Sequence, residues 1–224
     1  MGAMSRARTT LAQEVAHGLR ENIRLGRYAC GERLVELAIA QSLQVSQNTV
    51  RDALRQLETE GWVRYSPRRG VRVRAFTAGE ADEVFALMAA VESLALTWAF
   101  ESQGRAQLRT ALQPHVEALN TACVSDESAA GRDALFAFHR TLAALSDRPH
   151  TQSALKVLHN QAYLLTTGYD TRGPGPSLTS DQVGGYVHLL GMLKFATPTE
   201  AEVALRQRIL ADGRPIVRWL ALIS

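Results

Sequence analysis

The sequence predicts a mainly α-helical chain, with an N-terminal winged helix-turn-helix that carries a small two-stranded wing and a C-terminal all-helical bundle. Three observations predict it. Val45 to Gly70 reads as a capped amphipathic helix followed by a basic hairpin. From Thr77 onward apolar residues recur at spacings of three and four, with no alternating strand pattern. The charge is split: residues 1–75 hold 13 Arg and no Lys against 7 acidic residues, a surplus of +6, whereas residues 76–224 hold 12 basic against 15 acidic, a balance of −3. A basic module joined to a mildly acidic one suits a nucleic-acid contact in the first and a different task in the second. The predicted division is 5–75 and 76–224.

In the first module, Leu11, Val15, Leu19 and Ile23 form one stripe of a helix that Gly26 ends. Residues 27–33 read as an irregular link, and residues 34–43 as a short apolar helix. Only Leu43, Gln44 and Val45 separate it from the next helix, the tight connection that a helix-turn-helix requires. Ser46 stands at the N-cap, and Val45 and Val50 are spaced as a hydrophobic staple. Val50, Ala53, Leu54 and Leu57 make the apolar face, and Gly61 supplies the left-handed residue that closes the helix. The opposite face carries Gln47, Asn48, Arg51 and Arg55, side chains of the types that reach base edges and phosphates in a major groove. Val63 and Tyr65, then Val71 and Val73, alternate with arginines around a turn of Ser66, Pro67, Arg68, Arg69 and Gly70. This is a wing with a cationic tip.

In the second module, Thr77 and Glu80 form a capping box before a helix over 81–101. Further helices are expected at about 105–123, 133–146, 151–167 and 181–195. The glycines and prolines of 171–176 mark the clearest long loop. Thr197, Pro198 and Glu200 open a last helix to about Leu222, with Gly213 and Pro215 expected to kink it.

A composition of 46% hydrophobic and 21% charged residues is that of a globular protein. No apolar run approaches the roughly 20 residues needed to cross a bilayer, and no signal-peptide core is visible, so a cytoplasmic protein without membrane contact is expected. Cys30 and Cys123 are too few and too far apart for a disulfide framework or a zinc ribbon. An enzyme finds little support: there is no phosphate-binding glycine loop, and the six histidines (His17, His115, His139, His150, His159, His188) form no catalytic spacing.

Residues 11–75 resemble the winged helix-turn-helix of the GntR family of transcription regulators, and the remainder resembles the effector-binding domain of its FadR branch. The resemblance rests on Gly31, Glu32, Arg33 and Leu34, then Val45 and Ser46, then Val50 to Leu54, then Leu57, Glu60 and Gly61, and last Arg69, Gly70 and Val71. Glu92 and the Phe138, His139 pair mark the second domain. The resemblance implies a cytoplasmic, ligand-responsive regulator that binds a palindromic operator as a homodimer. It implies DNA contacts from Arg33, Ser46, Gln47, Asn48, Thr49, Arg51, Arg55, Arg68, Arg69 and Gly70. Gln47 departs from the arginine usual in the family, exchanging a guanine reader for a residue suited to adenine. Effector contacts are expected at Met88, His139 and His188, and at Asn160 and Tyr163, which lie close together on a helix expected to line the same pocket, with a small carboxylic acid as the effector class. Met88 stands where many relatives place an arginine, which argues for a less acidic ligand. Many relatives also hold a divalent metal, through an Asp four residues before the His of the Phe-His pair and two later histidines. Here Leu135 takes the Asp position and only His188 fits a later histidine, so a metal at His139 and His188 is disfavoured and no cofactor is expected.

Overall fold

A computed structural model of the chain describes residues 10–223. The first nine residues, which include 5–9 of the expected first module, lie outside that range. The chain divides into two compact units between Arg74 and Ala75.

The first unit holds α1 (Leu11–Arg24), β1 (Arg33–Leu34), α2 (Glu36–Leu43), α3 (Gln47–Thr59), β2 (Val63–Ser66) and β3 (Gly70–Val73). Thr10 caps α1 in a full capping box with Gln13, and Val15, Ala16, Leu19 and Ile23 are buried against α3. The α3 stripe is buried as its spacing requires: Val50, Ala53 and Leu57 are fully inaccessible and Leu54 nearly so. Burying one such large aliphatic side chain contributes roughly 1.5–3 kcal/mol, which fixes the rotation of the helix about its axis. Ser46 caps α3 by accepting a bond from the Thr49 amide. Glu60 is buried beneath Arg20, 2.7 Å away, tying the end of α3 to α1.

The sheet differs from expectation. It has three strands in the order β1-β3-β2, with Arg33 opposite Arg72 and Leu34 opposite Val71, so the wing hairpin gains a third strand from the link before α2. A two-residue strand is too short to show periodicity in the sequence. It also moves the start of α2 from Leu34 to Glu36.

The second unit holds α4 (Ala78–Val124), α5 (Ser128–Leu145), α6 (Pro149–Arg172), α7 (Ser180–Met192) and α8 (Pro198–Ile223). The two helices expected over 81–101 and 105–123 are the two arms of α4, joined at Gly104 with φ 74° and ψ 164°, a conformation that glycine adopts at no steric cost. All the other helices of the unit pack on α4. By length and composition α4 could cross a bilayer, contrary to the sequence expectation. Half of its most apolar window is buried in this unit, however, and the helix carries the buried Glu92, so it is a core helix.

Boundaries shift where polar residues are tied down. α5 starts five residues before the expected 133, and α6 continues to Arg172 because Asp170 is ion-paired with the buried Arg132 and Thr171 bonds back to the Thr167 carbonyl. The last helix runs uninterrupted through Gly213 and Pro215. Gly213 serves packing: a Cβ there would lie 2.5 Å from the Phe85 ring, so α8 can approach α4 only over a hydrogen atom.

Candidate functional site

Two regions carry chemistry. On the first unit, α3 presents Gln47, Asn48, Arg51 and Arg55 to solvent while its opposite face is buried. Ser46 is exposed and Thr49 partly so. Asn48 Oδ1 accepts from Arg51 at 3.2 Å, and Glu36, projecting from the start of α2, accepts from Gln47 at 3.2 Å and from Arg51 at 3.0 Å. One carboxylate thus orders two of the outward donors. Glu36, Arg51, Arg55, Glu58 and Tyr65 line a concavity of about 610 Å³ between α3 and the wing. At the wing tip Arg68 and Arg69 are exposed, and Arg68 itself adopts a left-handed φ of 65°. Gly70, at φ 76°, passes beneath the Arg33 side chain, where a Cβ would sit 3.6 Å from its Nε. The ten residues expected to meet DNA therefore fall on one unit, along α3, β1 and the wing.

On the second unit, Glu92 of α4 is fully inaccessible. Its carboxylate meets His139 Nδ1 of α5 at 2.7 Å and His159 Nε2 of α6. Burial alone would push this carboxyl up, but the two facing imidazoles and their hydrogen bonds outweigh it and bring it from 4.5 down to about 2. An ionised carboxylate only accepts, so each imidazole turns an N–H toward it. Burial lowers the His159 pKa, against the attraction of Glu92. On its other side, His139 Nε2 lies 3.0 Å from the Tyr186 hydroxyl, which donates to Asp212 at 3.0 Å. Burial, with the charge of Asp212 next, raises the Tyr186 pKa well above its ordinary value. Burial also raises Asp212 to about 6, against the pull of Arg208, whose guanidinium is 2.7 Å away. A continuous polar chain thus runs from His159 through Glu92, His139, Tyr186 and Asp212 to Arg208. Beside it lies a cavity of about 20 Å³, walled on its apolar side by Phe85, Met88, Leu135 and Phe136 and on its polar side by His139, Gln182, Tyr186 and Asp212.

Residues 11–73 match the family described as bacterial regulatory proteins, gntR family, and residues 83–210, more than half of the chain, match the FCD domain. The chain belongs to the GntR family and carries an FCD domain. The HTH-type transcriptional regulator YdhC of Bacillus subtilis (strain 168) is 30% identical over 99 residues, 44% of each chain, so the match spans under half of that relative. An HTH-type regulator of Agrobacterium vitis, from the TAR-I ttuE-ttuC' intergenic region, is 26% identical over 57% of this chain and 76% of its own. Two solved structures share the fold. A GntR transcriptional regulator from Rhodococcus sp. RHA1 has a TM-score of 0.78 at 22% identity, over 92% of this chain and 97% of its own. McbR/YncC of E. coli has 0.75 at 20%, over 96% and 98%. This GntR protein is therefore a transcription regulator and not an enzyme: its first unit is of the operator-binding kind and its second of the effector-binding kind.

The five expected effector residues do not share one cavity. Met88 and His139 line the core cavity. His188 is exposed, because Val183, Tyr186 and Leu190 form the inward stripe of α7 and place position 188 outside. Asn160 lines a separate surface cleft. Tyr163 is buried but turns its hydroxyl to Asp133 at 2.6 Å, and its ring meets Phe136 on one side and the Arg132 guanidinium on another. Sequence reading missed His159, Tyr186, Gln182 and Asp212. Reading α7 at helical spacing from Val183 would have placed Tyr186 inward.

A divalent metal does not fit this donor set. Both ring nitrogens of His139 are committed, to Glu92 and to Tyr186, Leu135 offers no donor one turn earlier, and His188 faces away. Among the described residues no three His, Cys, Asp or Glu side chains are grouped to hold an ion.

Proposed function

We propose that two copies of this regulator bind a palindromic operator in the cytoplasm, reading bases with Gln47, Asn48 and Arg51. In this reading Arg33, Ser46, Thr49, Arg55 and the wing residues Arg68, Arg69 and Gly70 position the phosphate backbone. The observation that carries the reading is the rotation of α3: its apolar side is sealed by Val50, Ala53 and Leu57, so the three readers project into solvent. The functional modules are taken as 5–75 for DNA and 76–224 for effector and dimer contacts. A small molecule entering the second module beside Met88 and His139 would favour one dimer geometry over another. Half-sites roughly 34 Å apart tolerate little misplacement, so a modest change in spacing suffices to release DNA. The core cavity has room for about one water, so its occupant must spread Met88 and Phe85 apart. Among the described residues no Arg or Lys lines it, so the acid head group expected from the resemblance would find no cation there, and a weakly polar ligand that bonds to Tyr186 or Gln182 suits it better.

The test is a gel shift on DNA selected by the parent protein. Arg51→Ala should weaken specific binding by about 1–3 kcal/mol while leaving helix content intact. Unchanged affinity would remove Arg51 from the interface.

A further inference from the structure

Across the wing sheet, arginines stand in one row. Arg33 of β1 lies directly opposite Arg72 of β3, and Arg72 lies opposite Arg64 of β2 on its other side. Side chains alternate between the two faces of a strand, and burial tells these faces apart. Leu34, Val63, Val71 and Val73 are buried, and Tyr65 and Val71 line the concavity beside α3, whereas Arg33, Arg64 and Arg72 are exposed. The arginines therefore occupy the face that points away from α3. Residues directly opposite on neighbouring strands have Cβ atoms about 5 Å apart, and like charges so placed work against the sheet. Folding alone does not account for such a row. Arg72 donates to the Gly31 carbonyl at 2.8 Å, and Arg33 lies across Gly70, where a Cβ would sit 3.6 Å from its Nε. Arg33 thereby leans toward the turn of Arg68 and Arg69, which begins two register steps, about 7 Å, beyond the row. Glu32, next to Arg33 in sequence, is turned to the Ala29 amide at 2.8 Å.

We infer that this outer face of the wing is a second DNA surface, at which Arg33 and Arg72, with Arg64 extending the row, bind the phosphate backbone on the side of the wing away from α3. A wing that enters the groove next to the one read by α3 has a sugar-phosphate strand on each side, and the row meets the farther strand. The planar guanidinium fork matches a phosphate edge through two parallel bonds, and the surplus of +6 in residues 1–75 gives this unit the sign that a polyanion requires. The register and the shared exposed face of Arg33 and Arg72 carry the assignment, whatever contacts their neighbours make within the unit. Arg72 and Arg64 are thereby added to the contacts proposed above, and this surface rests on that operator-binding reading.

Fluorescence anisotropy with the full chain tests the surface, on a duplex selected by the parent and on a random duplex of equal length, over a series of salt concentrations. Each phosphate contact contributes about 0.9 to the slope of log K against log salt. Arg72→Gln should weaken both duplexes by the same factor, about fivefold at about 0.1 M salt, and flatten the slope by about 1, while Arg72→Lys keeps the slope of the parent. A slope in Arg72→Gln equal to that of the parent would overturn the surface. So would an Arg72→Gln chain that no longer folds, or an Arg72→Lys chain as weak as Arg72→Gln, since Arg72 would then serve the sheet through its bond to Gly31. Failure of the operator-binding reading shows differently: the parent itself would hold its selected duplex no more tightly than the random one.

Discussion

Replacing Glu92 by glutamine keeps the shape of the buried chain and removes its charge. Two charge-assisted bonds, to His139 and His159, become neutral ones, each weaker by about 1 kcal/mol. The displaced carboxyl gives a second measure. A folded value of about 2 against an ordinary 4.5 corresponds to roughly 3 kcal/mol of stability at neutral pH. The two routes agree on a loss of about 2–3 kcal/mol, which for a chain of this size lowers the melting temperature by about 4–12 °C. The sign of the pH dependence follows. Because the folded pKa is depressed, the contribution is complete above 4.5 and is lost as pH falls toward 2. Thermal melts followed by circular dichroism at pH 7 and pH 3.5 should therefore show a gap between parent and Glu92→Gln that narrows in acid. A variant that melts with the parent at pH 7, or a gap that is the same at both pH values, would refute the ion-pair account of this core.

Gly213→Ala should destabilise the chain by about 1–3 kcal/mol, because the new Cβ meets the Phe85 ring; the loss should shrink in a Phe85→Leu background, as read by melting of single and double variants. Glu36→Gln keeps an acceptor oxygen for Gln47 and Arg51 but removes the negative charge that strengthens those bonds and lies beside the expected phosphate path. It should raise affinity for non-specific duplex DNA by several-fold in a fluorescence anisotropy titration. Protein purified without chelator should carry well under one equivalent of zinc or nickel by elemental analysis, since His139 has no nitrogen to spare.

The DNA-facing half was largely legible from sequence because its signals are local. A cap at Ser46, a four-residue stripe and a left-handed Gly61 fix the helix, its phase and its end without knowledge of the partner elements. β1 escaped because two residues carry no period. The buried chain of the second unit escaped for the opposite reason: its members lie 47, 26 and 67 positions apart and meet only through helix packing. His188 was misplaced because a histidine attracts a functional reading more readily than the tyrosine two residues earlier, although helix phase favours Tyr186. Asn160 and His139 face different spaces: Asn160 lines the surface cleft together with His159, and His139 lines the core cavity.

Selection of binding sites from random duplex DNA, run in parallel on the parent and on Gln47→Arg, tests most directly whether α3 reads sequence. The expected result is an inverted repeat for the parent and, for the variant, the same repeat with one adenine replaced by guanine at symmetric positions. An identical consensus from both proteins, or no enriched sequence from the parent, would contradict it.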